Sequence, residues 1–299
     1  MTGIICINKE EGITSFGAVA RVRGITKEKK AGHTGTLDPM ATGVLPVMLG
    51  GATRFLNFLP NSDKGYRAEL KLGITTDSLD ITGNVTGEYE VDVSADDVKN
   101  VLANFTGVIQ QIPPMYSAKS VDGVRLYDLA REGKVIEREP CMVEIKELSL
   151  ASFDENEHIY TIDVLCSKGT YIRSLIDDIG ARLGCGAVMT KLCRTQAMGF
   201  DLSRCVTLDE LEQMKNDGAG FESALIGIEE MFSCYKSVGV SSAQSTRFFN
   251  GGALDIKRVK AEIGADEICT VYSDKKEFLG LGQRIGDELK PIRVLSVRE

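Results

Sequence analysis

The chain has 299 residues, 43% of them hydrophobic and 26% charged, with a formal net charge of −8. This balance fits a globular protein of one large and one small domain, and no apolar run approaches the roughly 18 residues of a membrane span, so a cytoplasmic protein is expected. Its eight cysteines include no CxxC pair, only two histidines are available, and neither a GxxxxGK[ST] loop nor a complete GxGxxG run occurs, which argues against a bound metal or nucleotide cofactor.

In chain order, GIICINK (3–9) reads as an apolar strand. EGITSFGAVARVRGI (11–25) follows as a helix starting near Phe16, with Thr14 or Ser15 as its cap. RVRGITKEKKAGH (21–33) holds five Lys/Arg against one Glu; it is either a solvated charge run or a basic strip facing a polyanion. It leads into AGHTGTLDPMATGVLPVMLGGATR (31–54). There Pro39 biases Asp38 away from the helical region, while Gly32, Gly35 and Gly43 permit tight turns, so propensity alone makes Asp38-Pro39 a turn.

YRAELKLG (66–73) alternates Ala68, Leu70 and Leu72 with charged residues, a strand pattern. VSADDVKNVLANFTG (93–107) has Ser94 and Asp97 at capping-box spacing ahead of helically spaced Val98, Val101, Leu102 and Phe105. QQIPPMYSAKSVDG (110–123) is aperiodic and reads as a loop able to lie across a ligand. CMVEIKELSLASF (141–153) and HIYTIDVLCSKG (158–169) form antiparallel strands around the turn DENE, and TYIRSLIDDIGARLG (170–184) is an amphipathic helix ended by Gly184. GAVMTKLCRTQAMGF (186–200) returns to strand, TLDELEQMK (207–215) is a short helix, and NDGAGFES (216–223) is a connector.

From about residue 234 short strands and turns dominate, as in SVGV, EICTVYS, EFLGLGQ and RVLSV with NGG as a turn, which predicts an all-β module. The fold class is therefore α+β, with a mixed, mostly antiparallel sheet in residues 1–233 and the small module in 234–299. From Lys236 onward eleven Lys/Arg face nine Asp/Glu, whereas the preceding part has 24 against 34. A nucleic-acid partner is compatible with that uneven distribution, although not with the net charge alone.

Three stretches carry a family likeness. GHTGTLDPMATGVLPVMLGGATR (32–54) closely resembles the aspartate-containing active-site motif of the bacterial tRNA pseudouridine-55 synthases, the TruB family; DKGYRAELKLGITTDSLDITG (63–83) and SKGTYIRSLIDDIGARLGCGA (167–187) are similar to that family's second and third motifs. The resemblance implies a pseudouridine synthase catalytic domain with a PUA-like RNA-binding domain behind it. It further implies a cofactor-free isomerase that flips a T-loop uridine of tRNA from its stack and rejoins C1′ to C5 in place of N1, acting as a monomer with no membrane partner and gripping the T-loop and acceptor arm.

By the same resemblance, Asp38 is the catalytic aspartate, acting at C6, at C1′ or along a glycal route. Tyr66 corresponds to the tyrosine that stacks on the base and takes part in proton removal. Arg173, whose plain partner is Asp177 one turn on, corresponds to an arginine that pairs with the catalytic carboxylate. His33 matches the histidine that fills the gap left in the T-loop, Asp80 an aspartate at the base edge, and Leu192 an apolar residue packed near the base. The stretch around Cys193 and Thr195 is less basic than the family pattern. Lys9, near the end of the first strand, is a further candidate RNA contact, with a solvated lysine as its plain reading. A tRNA-binding protein with an idle site is the competing reading, and a different structured RNA a third; the intact set Asp38, Tyr66 and Arg173 favours the enzyme.

Overall fold

The computed structural model describes residues 1–295 except 61, 118, 122 and 260, so parts of the expected 110–123 loop and of the last strand lie outside the described residues. β1 (Gly3–Lys9) leads into α1 (Ser15–Thr26), which Thr14 caps by accepting the Gly17 amide at 2.9 Å. β2 (Ala31–His33) and β3 (Thr42–Leu49) flank the Asp38 loop. Next come β4 (Lys64–Leu72), β5 (Ile74–Thr76), β6 (Val85–Glu88), α2 (Ala95–Leu102) and β7 (Gly107–Gln111). A small hairpin, β8 (Ser120–Val121) and β9 (Val124–Arg125), and α3 (Leu126–Arg131) precede β10 (Cys141–Asp154) and β11 (Ile159–Cys166). The chain continues through α4 (Ile172–Leu183), β12 (Ala187–Ala197), β13 (Phe200–Asp201), α5 (Leu208–Asn216) and β14 (Leu225–Ile226).

These strands build one sheet in the order β14-β1-β3-β12-β4-β11-β10-β7, with β2 added to β3 and β13 to β12. Every pairing in it is antiparallel but one: β12 runs parallel to β3. Backbone closeness at that junction requires glycine. Gly43 has φ +100°, and a Cβ there would collide with the Arg194 carbonyl. The α+β expectation is met.

Strand alternation decides which face is covered. On β4, Tyr66, Ala68, Leu70 and Leu72 turn inward while Arg67, Glu69 and Lys71 turn out. The inward face is roofed by α1, α2 and α4, the last contributing Ile172, Leu175, Ile176 and Ile179 to a single apolar core. Each such side chain, fully buried, stabilises by roughly 1.5–3 kcal/mol. The predicted Ser94–Asp97 capping box is present on α2 with both of its hydrogen bonds.

A second sheet, ordered β15-β17-β18-β19-β16, is formed by β15 (Lys236–Gly239), β16 (Leu254–Asp255), β17 (Ile268–Tyr272), β18 (Phe278–Ile285) and β19 (Glu288–Val294). It differs from the all-β expectation by one two-turn helix, α6 (Ser242–Phe249), started by a Ser241–Gln244 capping box. The back of β1 and β3 (Ile4, Cys6, Val44, Met48) packs with Phe55 and Phe232, and that cluster extends to Leu281 of β18. Phe55 lies 5.7 Å from Phe232 and 5.8 Å from Phe278, ring centre to ring centre, so an aromatic knot ties the two sheets together. Among the described residues no helix is long and apolar enough to cross a membrane. Phe232→Ala is expected to lower unfolding free energy by about 3–5 kcal/mol in urea titration, because Phe232 is fully buried at this junction.

Candidate active site

Asp38 occupies the loop between β2 and β3, and the loop is clamped on both sides of it. Before it, Leu37 is buried and exchanges two hydrogen bonds with the Ser15 hydroxyl at the start of α1, at 2.7 and 3.0 Å. After it, the Pro39 carbonyl accepts from the Gly12 amide at 2.8 Å and from Lys9 Nζ at 3.2 Å. The Ala41 amide donates to the Asp38 carbonyl at 3.0 Å, closing the turn that Asp38-Pro39 predicted. A carboxylate on such a loop has little freedom to turn aside.

Arg173, in the first turn of α4, meets it. Its Nη2 lies 2.9 Å from Asp38 Oδ2 and donates to the Tyr116 carbonyl at 2.7 Å; its Nη1 donates to the Ser78 carbonyl at 3.1 Å and stands 3.5 Å from Asp80 Oδ2. The guanidinium is buried, with Asp38 as its half-exposed partner on the cavity side. Asp38 and Asp80, rather than Asp177, are thus the partners of Arg173.

Asp80 itself stands behind Arg173 and does not line the cavity. Its Oδ1 accepts from Ser78 Oγ at 2.9 Å, the Thr82 amide at 3.1 Å and Thr82 Oγ1 at 2.5 Å. So placed, it is a positioning residue that braces the arginine from the far side.

The cavity in front of the pair measures about 220 Å³ and is walled by Asp38, Lys64, Tyr66, Ser117, Lys119, Tyr171, Ile172, Arg173 and Leu192, among others. That is small for a nucleotide cofactor and suits one planar ring. Tyr66 and Leu192 reach it from the adjacent strands β4 and β12, where Leu192 pairs with Ala68. A second depression of about 330 Å³, lined by Met40, Thr42, Arg67, Lys191 and Cys193, adjoins the first across Leu192. Among the described residues no three His, Cys, Asp or Glu side chains converge as a metal site would require.

Burial pushes the Tyr66 hydroxyl above its ordinary value, with the Arg194 guanidinium pulling the other way. The phenol is therefore protonated at neutral pH. His33, at the end of β2, is half-buried and stands outside the cavity wall. Burial, then Arg194 and Lys64, push its imidazole below the ordinary 6.5, so it is neutral at pH 7.

Lys9 is placed otherwise than expected. Its side chain is fully buried, and its ammonium donates to the carbonyls of Glu10 at 2.7 Å, Ile13 at 2.8 Å and Pro39 at 3.2 Å. Burial pushes it down to about 8, against the attraction of Asp38. With all three protons engaged inside the protein, Lys9 staples the Asp38 loop and is not an RNA contact. Of the basic strip, Arg21 is spoken for by Glu10 and Asp209 at 3.0 and 3.1 Å.

Sequence reasoning missed Arg194, which is fully buried on β12 and donates to the carbonyls of Val44 at 2.7 Å, Gly35 at 3.1 Å and Thr36 at 3.3 Å. It ties β12 to the same Asp38 loop. The signal was available: Arg194 shares the inward face of its strand with Leu192, two residues before it.

Comparison with known proteins gives this arrangement its class. Residues 23–172 match the model of the TruB family pseudouridylate synthase N-terminal domain, and residues 173–232 that of the tRNA pseudouridylate synthase B C-terminal domain. The chain is 40% identical to tRNA pseudouridine synthase B of Clostridium tetani, over 99% of this chain and 100% of that protein. With the protein of the same name from Pseudomonas fluorescens strain Pf-5 it shares 50% identity over 73% of this chain and 71% of the other. Among solved structures, one of a Cbf5-Nop10-Gar1 complex superposes with a TM-score of 0.74 at 26% identity, covering 99% of this chain and 85% of that one. A second, of an H/ACA RNP bound to a substrate RNA containing 2′-deoxyuridine, also gives 0.74, at 25% identity, covering 99% and 86%.

Fold, site and relatives define an RNA-modifying isomerase. The chain belongs to the TruB family of pseudouridine synthases, and its reaction is the conversion of uridine to pseudouridine in tRNA.

Lys9→Met is expected to leave tRNA affinity within about twofold while lowering unfolding free energy by about 2–4 kcal/mol, because it strips buried carbonyls of a charged donor. Filter binding and urea titration measure the two quantities.

Proposed function

We propose that the protein isomerises uridine 55 in the T-loop of tRNA, after the base has left its stack, by a mechanism that depends on Asp38 and needs no cofactor. The observation that carries this reading is the 2.9 Å pair between Asp38 and the buried Arg173 at the wall of a cavity sized for one ring. Extruding a base costs a few kcal/mol, which contacts in the pocket must offset. Tyr66 supplies an aromatic face for the uracil and Leu192 an apolar wall.

In the net reaction the C1′–N1 bond breaks, C1′–C5 forms, and the C5 proton is lost while N1 gains one. Asp38 provides the carboxylate oxygen at the reacting ring, whether its target is C6, C1′ or a glycal route; in each case Arg173 fixes the direction in which that oxygen points. Tyr66 receives or relays the C5 proton. The Arg194 guanidinium beside it favours the phenolate character that such a transfer develops.

His33, five residues before Asp38 and neutral, fits a wedge in the T-loop better than an acid or base. Asp80 acts on the base through Arg173, a role that its bracing contact supports better than direct hydrogen bonding to the base edge. The depression beyond Leu192 suits nucleotides next to the target. Residues 1–233 form the catalytic domain and 234–299 a PUA-like RNA-binding domain on the acceptor side, working as a monomer in the cytoplasm. The excess of Lys/Arg over Asp/Glu after residue 235 is consistent with that division.

Tritium at C5 of the uridines in unmodified tRNA is released only when C5 loses its hydrogen. Asp38→Asn should cut that release by about 10³-fold or more while sparing tRNA binding. An Asp38→Asn variant that turns over normally would remove the aspartate mechanism, and pseudouridine mapped elsewhere than position 55 would remove the T-loop assignment.

A further inference from the structure

Among the described residues, Lys64 on the cavity wall has no partner for its charge. Lys64 begins β4 and has the parity of Tyr66, two residues on, so both side chains leave the strand on its inward face. Its side chain lines the cavity. Among the described residues its ammonium makes neither a hydrogen bond nor an ion pair.

Its neighbours raise the positive charge instead of cancelling it. A Cβ on Gly35 would stand 3.0 Å from Lys64 Nζ and 3.8 Å from Arg194 Nη1, so the bare glycine of the catalytic loop leaves the space in which two cations approach each other. All the hydrogen bonds of Arg194 go to carbonyls, which satisfy its donors without neutralising it. Lys119 adds a further cation to the wall. Asp38 is the carboxylate there, and Arg173 already holds it. Around Lys64 the other titratable groups are His33 on β2, which the two cations disfavour charging, Cys166 on β11, Tyr66, and its chain neighbour Asp63, whose carboxylate pairs with Lys146 at 2.6 Å.

A lysine removed from water among like charges is costly unless an anion joins it. Burial, with Arg194 adding to it, pushes Lys64 down to about 8, so at neutral pH it is still an ammonium awaiting a counter-charge. The RNA carries one permanent anion per nucleotide, and a nucleotide entering this cavity brings its phosphodiester to the wall with its ring.

We propose that Lys64 is the phosphate seat of the active site, its ammonium binding a non-bridging oxygen of a phosphodiester that flanks the target uridine. The proposal rests on the reading that a single extruded uridine enters this cavity. Lys64 then fixes the sugar-phosphate end of the nucleotide while Tyr66 and Leu192 hold the ring, and the two anchors together set C1′ against Asp38. It contributes mainly to binding, since the phosphate charge is the same before and during the reaction.

The test uses the full-length enzyme and a synthetic T-arm stem-loop, with methylphosphonate replacing one phosphodiester at a time. Lys64→Gln should raise KM about tenfold or more, with kcat within about threefold of the native enzyme. Lys64→Arg should recover most of that loss. One methylphosphonate position should harm the native enzyme to a similar degree and cost Lys64→Gln nothing further. If Lys64→Gln does not fold, as thermal melting will tell, Lys64→Met fills the space without the charge and takes its place in the cycle. Independent losses at every linkage would overturn the proposal, as would a fall in kcat alone, which would put the ammonium at a uracil oxygen that gains charge in the reaction. Failure of the native enzyme to isomerise the unsubstituted stem-loop would count against the T-loop reading and would be visible before any Lys64 variant is compared.

Discussion

Everything in the site turns on the burial of one guanidinium. From its place on α4, Arg173, 7% exposed, bonds three separate pieces of chain: Asp38 on the loop between β2 and β3, Ser78 and Asp80 on the turn between β5 and β6, and Tyr116 on the long loop after β7. Taking a guanidinium out of water costs several kcal/mol, which this set of partners must offset together. The consequence is mutual dependence: the arginine is held because the loops are in place, and the loops are in place because the arginine holds them. A carboxylate aimed by such an assembly arrives at its substrate with its orientation already fixed.

Two more buried cations extend the pattern. Lys9 fastens Pro39 from below, and Arg194 fastens Gly35, Thr36 and Val44 from β12. The Asp38 loop is thus sewn to the sheet by lysine and arginine donors on backbone carbonyls, while Leu37 and Ala41 anchor it in the apolar core, with Met40 packed against that core. This explains how a chain of formal charge −8 presents an active site where cations outnumber carboxylates. The overall sign says little about the field a substrate meets in a small cavity.

Much of the fold was legible because it rests on short-range patterns. The strand alternation of β4, the helical stripe of α4 and the Ser94–Asp97 box are each decided within about ten residues and hold in the structure. The Ser241–Gln244 box is of the same kind, but it opens a helix only two turns long in a sequence of turns and short strands, so the module read as all-β. Lys9 shows a different limit. It has the parity of Ile5 and Ile7, which face the core, and a lysine ending such a strand is ordinarily taken to reach solvent; that carbonyls of Ile13 and Pro39 wait for it depends on how a loop 30 residues away returns. Asp38 beside Arg173 was expected from family likeness alone, since no local pattern brings residues so far apart in the chain to 2.9 Å.

We propose that Arg173 matters for how it aims Asp38, beyond the charge it carries. A lysine there keeps the charge and loses the planar fork that reaches two carboxylates and two carbonyls at once. The direct measurement is the single-turnover rate of C5-tritium release by Arg173→Lys at saturating tRNA, alongside its tRNA affinity. A fall of about a hundredfold or more with affinity unchanged is the expected result; a rate close to that of the native enzyme would contradict the account.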